Sequence, residues 1–176
     1  MRFLATKLRD IFEIEIEPIA DERGFFARAW CEREFTANGL NGRLAQCNLS
    51  GNARKGTLRG IHFQAAPHEE AKLVRCIRGR IFDVAVDLRP DSDTYLQWHG
   101  VELTATNHRA LYIPEGCGHG FLTLEDDTEL YYQMSEFYHP EVARGVRWND
   151  PALRITWPSA AEVISDRDRT YPDYQP

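Results

Sequence analysis

GTLRGIHFQ, Gly56 to Gln64, reads as a β-strand that carries an arginine and a histidine three residues apart. Side chains of a regular strand alternate between its two faces. His62 therefore shares a face with Leu58 and Gln64, and Arg59 points to the other. Both enter one cavity only if Gly60 admits a bulge or a sharp twist.

Outward from this strand the dominant pattern has a period of two. Ala45, Cys47 and Leu49 alternate with Gln46, Asn48 and Ser50; Val101, Leu103 and Ala105 alternate with Glu102, Thr104 and Thr106; Leu130, Tyr132 and Met134 alternate with Tyr131 and Gln133. Such runs predict half-buried antiparallel strands. On this reading the polar stripe Gln46, Asn48 and Ser50 is a solvated outer face, and Tyr132 is a core aromatic whose hydroxyl finds a partner. One short helix is expected at Glu32 to Ala37, stopped by Asn38-Gly39. Turn signals recur at Asp21 to Gly24, Gly39 to Gly42, Arg89 to Asp93, Thr106 to His108, Pro114 to Gly118 and Asp126-Asp127. Many short strands with this punctuation indicate an all-β sandwich or barrel, the jelly roll among them.

The 176 residues suit a single domain, 1–176, with one substantial core. The N-terminus lacks the apolar region of a signal peptide and no run approaches the length of a bilayer span, so a cytoplasmic protein with no membrane partner is expected. A formal net charge of −6 argues against a nucleic-acid partner, which needs a clustered positive field. A few arginines in a cleft can still hold one pyrophosphate. Cys31, Cys47, Cys76 and Cys117 occur singly without CxxC spacing, which points to reduced thiols and away from zinc or redox pairs.

Further segments complete the picture: DERGFF (Asp21 to Phe26), QCNLS (Gln46 to Ser50), KLVRCIRGRIFDVAVDLR (Lys72 to Arg89), PEGCGHGFL (Pro114 to Leu122), YYQ (Tyr131 to Gln133) with Tyr138, WNDPALRITWP (Trp148 to Pro158) and SDRD (Ser165 to Asp168). In this order and nearly end to end, they resemble the dTDP-4-dehydrorhamnose 3,5-epimerase family of sugar-nucleotide epimerases. The resemblance implies a cupin-like jelly roll, or double-stranded β-helix, with short peripheral helices. It also implies a homodimer, a nucleotide-diphosphate sugar as substrate, and no cofactor or metal. By the same resemblance His62 is the general base, Asp168 orients it, Tyr132 is the proton donor and Lys72 stabilises the enolate. Arg23 and Arg59 hold the diphosphate, with Arg23 supplied to the partner's site, and Arg167, where the family often has a lysine, contacts the substrate. Gln46, Cys47 and Asn48 contact the nucleotide, His119 touches the substrate, Tyr138 stacks on the base and Asp83 has a supporting role. Cys47 and Arg28 stand where the family often has carboxylates, which predicts a weakened preference for dTDP over UDP or CDP.

The chemistry accounts for such a set. Hydrogens at C3 and C5 of a 4-keto sugar are acidified by the carbonyl, so inversion needs a base on one face, charge stabilisation at O4 and an acid on the other. An unperturbed imidazole, with a pKa near 6.5, suits proton transfer at neutral pH. The same residues serve an epimerase acting at C3 or C5 alone, or on another nucleotide. A metal-dependent cupin would need a ligand cluster, commonly with an HxH pair that is absent here; His62, His68 and His119 are the remaining candidates. A catalytically dead sugar-binding cupin has no need for an acid and a base together.

Overall fold

The computed structural model describes residues 1–175. In chain order the elements are β1 (Arg2–Ala5), β2 (Phe12–Glu15), β3 (Ile19–Asp21), β4 (Gly24–Phe26), α1 (Glu32–Ala37), β5 (Gln46–Asn52) and β6 (Thr57–Gln64). There follow β7 (Lys72–Arg78), β8 (Arg80–Asp87), β9 (Trp98–Thr104), β10 (Ala110–Ile113) and β11 (Cys117–Thr123). The chain ends with β12 (Thr128–Met134), β13 (Ala143–Gly145), β14 (Val163–Ile164) and α2 (Asp166–Arg169).

Two antiparallel sheets face each other as a jelly-roll sandwich. The first runs β1-β2-β10-β7-β12-β5; the second runs β13-β6-β11-β8-β9, with β14 added parallel to β6. The core between them takes Val74, Cys76, Leu111, Ile113 and Leu130 from the first sheet and Ile81, Ala85, Val101, Leu103 and Phe121 from the second. Burial pushes the Cys76 thiol up to about 11 and that of Cys117 up to about 12, so both behave as apolar packing groups.

The outer faces are covered as well. Against the first sheet lies α1, bounded as the sequence indicated, with Phe35 edge-on to Phe3 and Tyr112 at 5.3 and 5.8 Å. It stops where the Asn38 and Gly39 amides turn back onto helix carbonyls, Gly39 having a φ of +74°. Against the second sheet, the segment from Val146 to Trp157 packs Leu153, Ile155 and Trp157 around Ile61, Val84 and Val86.

Two features depart from the sequence pattern. Strand β5 is half-buried as expected, but with its faces exchanged: Gln46, Asn48 and Ser50 turn inward and Leu49 is 70% exposed. The interior beside β5 is a polar cavity, and strand parity then forces Cys47 and Leu49 outward. Secondly, the SDRD segment forms α2, four residues capped by the Ser165 hydroxyl accepting from the Asp168 amide at 3.1 Å. A single turn is too short to leave a periodic signal.

Candidate active site

The site begins at the irregularity in β6. His62 pairs with His119 of β11, but Arg59 pairs with Phe121, so the register slips at Gly60. Gly60 has a φ of +133°, and a Cβ there would lie 2.4 Å from the Gly120 Cα. Only glycine allows this backbone conformation and this close approach of two strands. The slip rotates Arg59 back to the same side as His62, and both line one depression with His119, Phe121 and Tyr132.

A contiguous cavity of about 240 Å³ is lined by Asn48, His62, Lys72, His119, Tyr132, Tyr138 and Arg167, among others. Its two walls come from different sheets: His62 and His119 from the second, Asn48, Lys72 and Tyr132 from the first. A larger cavity, about 450 Å³, is lined by Arg9, Leu88, Arg89 and Tyr174. Its Arg89 is engaged by Asp87 and Asp10, whereas the smaller cavity brings an imidazole, a phenol and a lysine together.

Each functional side chain is held by a partner. The His62 Nε2 lies 2.6 Å from the Asp168 Oδ1. The other oxygen of this buried carboxylate accepts from the Gly60 amide at 3.3 Å, so the bulge and the dyad are one construction. Burial by itself would raise the Asp168 pKa. His62, the Gly60 amide and the Ser165 hydroxyl outweigh it, and the carboxyl is held below its ordinary value. His119, also buried, places Nε2 2.7 Å from the Asp83 Oδ1.

Lys72, at the start of β7, is buried. Its Nζ lies 2.6 Å from the Glu70 carboxylate and donates to the His62 carbonyl at 3.2 Å. Tyr132 sits edge-on to His119 with ring centroids 5.9 Å apart. Burial raises its phenol well above the usual range, assisted by Asp83 and opposed by the Ser50 hydroxyl and Arg59. The hydroxyl therefore carries its proton at neutral pH.

At the rim, the Tyr138 amide donates to the Gln46 side chain at 2.8 Å. The Arg167 guanidinium stands 5.9 Å from the centre of the Tyr171 ring, and its hydrogen bonds to Tyr138 and Tyr171 raise its pKa. Arg59 is steered by the buried Asn52, whose Oδ1 accepts from its Nε at 2.9 Å.

Three positions lie elsewhere. Cys47 is exposed, on the opposite face of β5 from Gln46 and Asn48, and its position does not reach the cavity. Arg28 pairs with Glu34 at 2.6 Å beside α1. The expected loss of base selectivity through these two residues therefore has no basis within one chain. Arg23, ion-paired to Asp21, stands on the exposed β3–β4 hairpin away from this cavity. His68 does not converge with His62 and His119 but stacks on His139.

Pattern reading missed Glu70 and Tyr171. Glu70 precedes Lys72 by two residues, a spacing that hints at a shared face. Tyr171 offers no sequence signal; its ring fills the space a Cβ on Gly145 would need, 2.3 Å from the ring carbons, and its centroid is 6.4 Å from that of His62.

Comparison with known proteins agrees with this geometry. The family described as dTDP-4-dehydrorhamnose 3,5-epimerase matches residues 5–175. The chain is 47% identical over 173 residues to the dTDP-4-dehydrorhamnose 3,5-epimerase of Methanothermobacter thermautotrophicus, covering 97% of this chain and 92% of that one. It is 43% identical over 170 residues to the dTDP-4-dehydrorhamnose 3-epimerase of Streptomyces niveus, covering 96% and 82%. A crystal structure of the Bacillus anthracis 3,5-epimerase with TDP and PPi bound matches with a TM-score of 0.94 and 39% identity, over 98% of this chain and 99% of that one. Agreement of sequence and fold over nearly the whole length leaves one assignment: the chain belongs to the dTDP-4-dehydrorhamnose 3,5-epimerase family.

Proposed function

We propose that the protein epimerises C3 and C5 of dTDP-4-keto-6-deoxyglucose, giving dTDP-4-dehydrorhamnose, as a cytoplasmic enzyme of dTDP-L-rhamnose synthesis. The observation that carries this reading is the division of the cavity between the two sheets, with an imidazole–carboxylate dyad on one wall and a protonated phenol and a lysine on the other.

The sugar lies between the walls. His62 takes the proton from the carbon α to the keto group, and the C–H electron pair moves into the ring-side C=C bond as O4 becomes an enolate. Asp168 holds the imidazole in place and favours the imidazolium that forms. The Lys72 ammonium stabilises the negative charge on O4. Tyr132 then delivers a proton to the opposite face, the C=C electrons forming the new C–H bond and O4 returning to the ketone. Deprotonation and reprotonation on opposite faces invert the centre; His62 then gives its proton to solvent and Tyr132 takes one back before the second carbon reacts, so the reaction balances without an oxidant or a reductant. Arg59 and Arg167 flank the cavity and grip the diphosphate, while Tyr138 supplies a flat surface for the base, a contact worth about 1–3 kcal/mol.

A homodimer belongs to this reading. Ile19, Phe25 and Phe26 of the β3–β4 hairpin are 72%, 53% and 76% exposed, and Arg23 at its tip meets no cavity of its own chain. Docking the hairpin on a second copy covers these apolar groups and brings Arg23 to that copy's diphosphate.

The identity to a 3-epimerase supports a second reading, inversion at C3 alone. Incubation with dTDP-4-keto-6-deoxyglucose in D₂O, followed by NMR, separates the two. Deuterium at both C3 and C5 is expected. Label at C3 only establishes the mono-epimerase, and label at neither overturns the assignment.

A further inference from the structure

Outside the catalytic cavity, two imidazoles and a carboxylate meet on the surface. His68 and His139 stack with ring centroids 3.6 Å apart and an interplanar angle of 10°. The His139 Nδ1 lies 3.0 Å from a Glu141 carboxylate oxygen. One ligand atom from each of the three residues falls within 4.8 Å of the others, and among the described residues this is the only such cluster of three or more His, Cys, Asp or Glu side chains.

The backbone beneath it is fixed. Gln64, 3% exposed, donates through its amide nitrogen to the His68 carbonyl at 2.7 Å and to the Phe137 carbonyl at 3.1 Å. Its carbonyl oxygen accepts from the His139 amide at 2.6 Å. The Ala65 amide donates to the Val142 carbonyl at 3.0 Å and ties the second loop to the first, and the Val142 amide closes the second loop on the His139 carbonyl at 3.2 Å. One buried carboxamide thus fixes both histidine backbones, which removes most of the ordering entropy that assembling a surface site would cost. None of the three side chains takes part in the proposed epimerisation.

We propose that His68, His139 and Glu141 form a binding site for a divalent transition metal, one residue away from Tyr138. Two imidazole nitrogens and one carboxylate oxygen are the donor types that suit Zn²⁺, with water completing a tetrahedron. The three ligand atoms already lie within 4.8 Å of one another, so what binding must rearrange is the side chains on a fixed backbone. Mg²⁺, which favours oxygen ligands and octahedral geometry, is a poor fit. The metal joins the 65–70 loop to the 137–142 loop and so steadies the segment that carries Tyr138; the reaction itself makes no use of it.

Calorimetric titration of chelator-treated protein with Zn²⁺ tests the site. One Zn²⁺ per chain is expected, with Mg²⁺ giving no binding heat. His68→Ala and His139→Ala, independent changes in two different loops, should each weaken Zn²⁺ binding by about tenfold or more, the scale on which zinc sites respond to loss of a supporting group. Zn²⁺ should raise the melting temperature of the wild type and not of these variants. His62→Asn, which alters the catalytic cavity only, should bind Zn²⁺ as the wild type does. Unchanged affinity in both loop variants overturns the proposal, as does loss of binding in His62→Asn, which would place the metal in the catalytic cavity.

Discussion

In the proposed mechanism His62 and Tyr132 do different halves of one proton exchange, and the structure gives each its own electrostatic support. Asp168 stays ionised against the cost of burial because three partners favour its charge, so it can hold the imidazole through the whole cycle. The Tyr132 phenol, protonated at neutral pH and raised further by burial, is the group that the proposed mechanism uses as proton donor. In D₂O, His62→Asn should abolish deuterium incorporation while dTDP affinity, measured calorimetrically, stays within about fivefold, or 1 kcal/mol, of the wild type. Tyr132→Phe should slow turnover by about 10²–10⁴, the usual contribution of a positioned acid or base, with exchange at the carbon retained better than net inversion. Near wild-type exchange in His62→Asn would show that another group is the base.

At the scale of elements, the bulge in β6 decides the site. Gly60→Ala puts a methyl carbon 2.4 Å from backbone of β11 and forces an L-residue into a φ of +133°. The two strands must separate, which moves Arg59, His62 and the amide that binds Asp168 together. A loss of roughly 2–3 kcal/mol in urea unfolding, with turnover impaired beyond the loss of folded protein, is expected. The end of β8 gives a second test. Asp87 is buried; burial opposes its charge, but Arg89, Ser92 and Thr94 donate to it and bring its pKa down from 3.8 to about 2. Since the folded value lies below the unfolded one, the stabilisation is complete above pH 4 and vanishes as the pH falls toward 2. Its size is about 2 kcal/mol. Urea midpoints measured at pH 7, 4 and 2.5 should fall on the acid limb, and Asp87→Asn, less stable at pH 7, should lose less between pH 4 and 2.5.

For the whole molecule, the exposed hairpin and the outward Leu49 leave apolar surface that one copy does not cover. Sedimentation should give a dimer of the 20.3 kDa chain. Phe26→Glu, at a position 76% exposed within one chain, should shift the protein toward monomer and raise KM more than it lowers kcat, because Arg23 is withdrawn from the partner's substrate and the base and acid are not. A fully active monomer would refute the exchange of arginines between copies.

The sequence alone determined the class of the fold and most of the cast. Alternation at 101–106 and 130–134, which lies in or overlaps β9 and β12, the helix at Glu32 to Ala37 with its stop at Asn38-Gly39, and the segments around His62, Lys72, Tyr132 and Asp168 depend on local period, turn chemistry and ordered motifs, which are written residue by residue. Tertiary structure decided which face of a strand is inside. Polarity alone sent Gln46, Asn48 and Ser50 to solvent; the family resemblance pointed Gln46 and Asn48 at the nucleotide, and the facing sheet shows the interior beside β5 to be a polar cavity. Whether Arg59 and His62 share a side depended on Gly60 meeting Gly120, a contact between strands 60 residues apart in the chain. The burial of Lys72 against Glu70, the Asp168 dyad reached from a four-residue helix, and the pairing of His68 with His139 are likewise long-range: no local pattern encodes them, because they exist only once the sheets have closed.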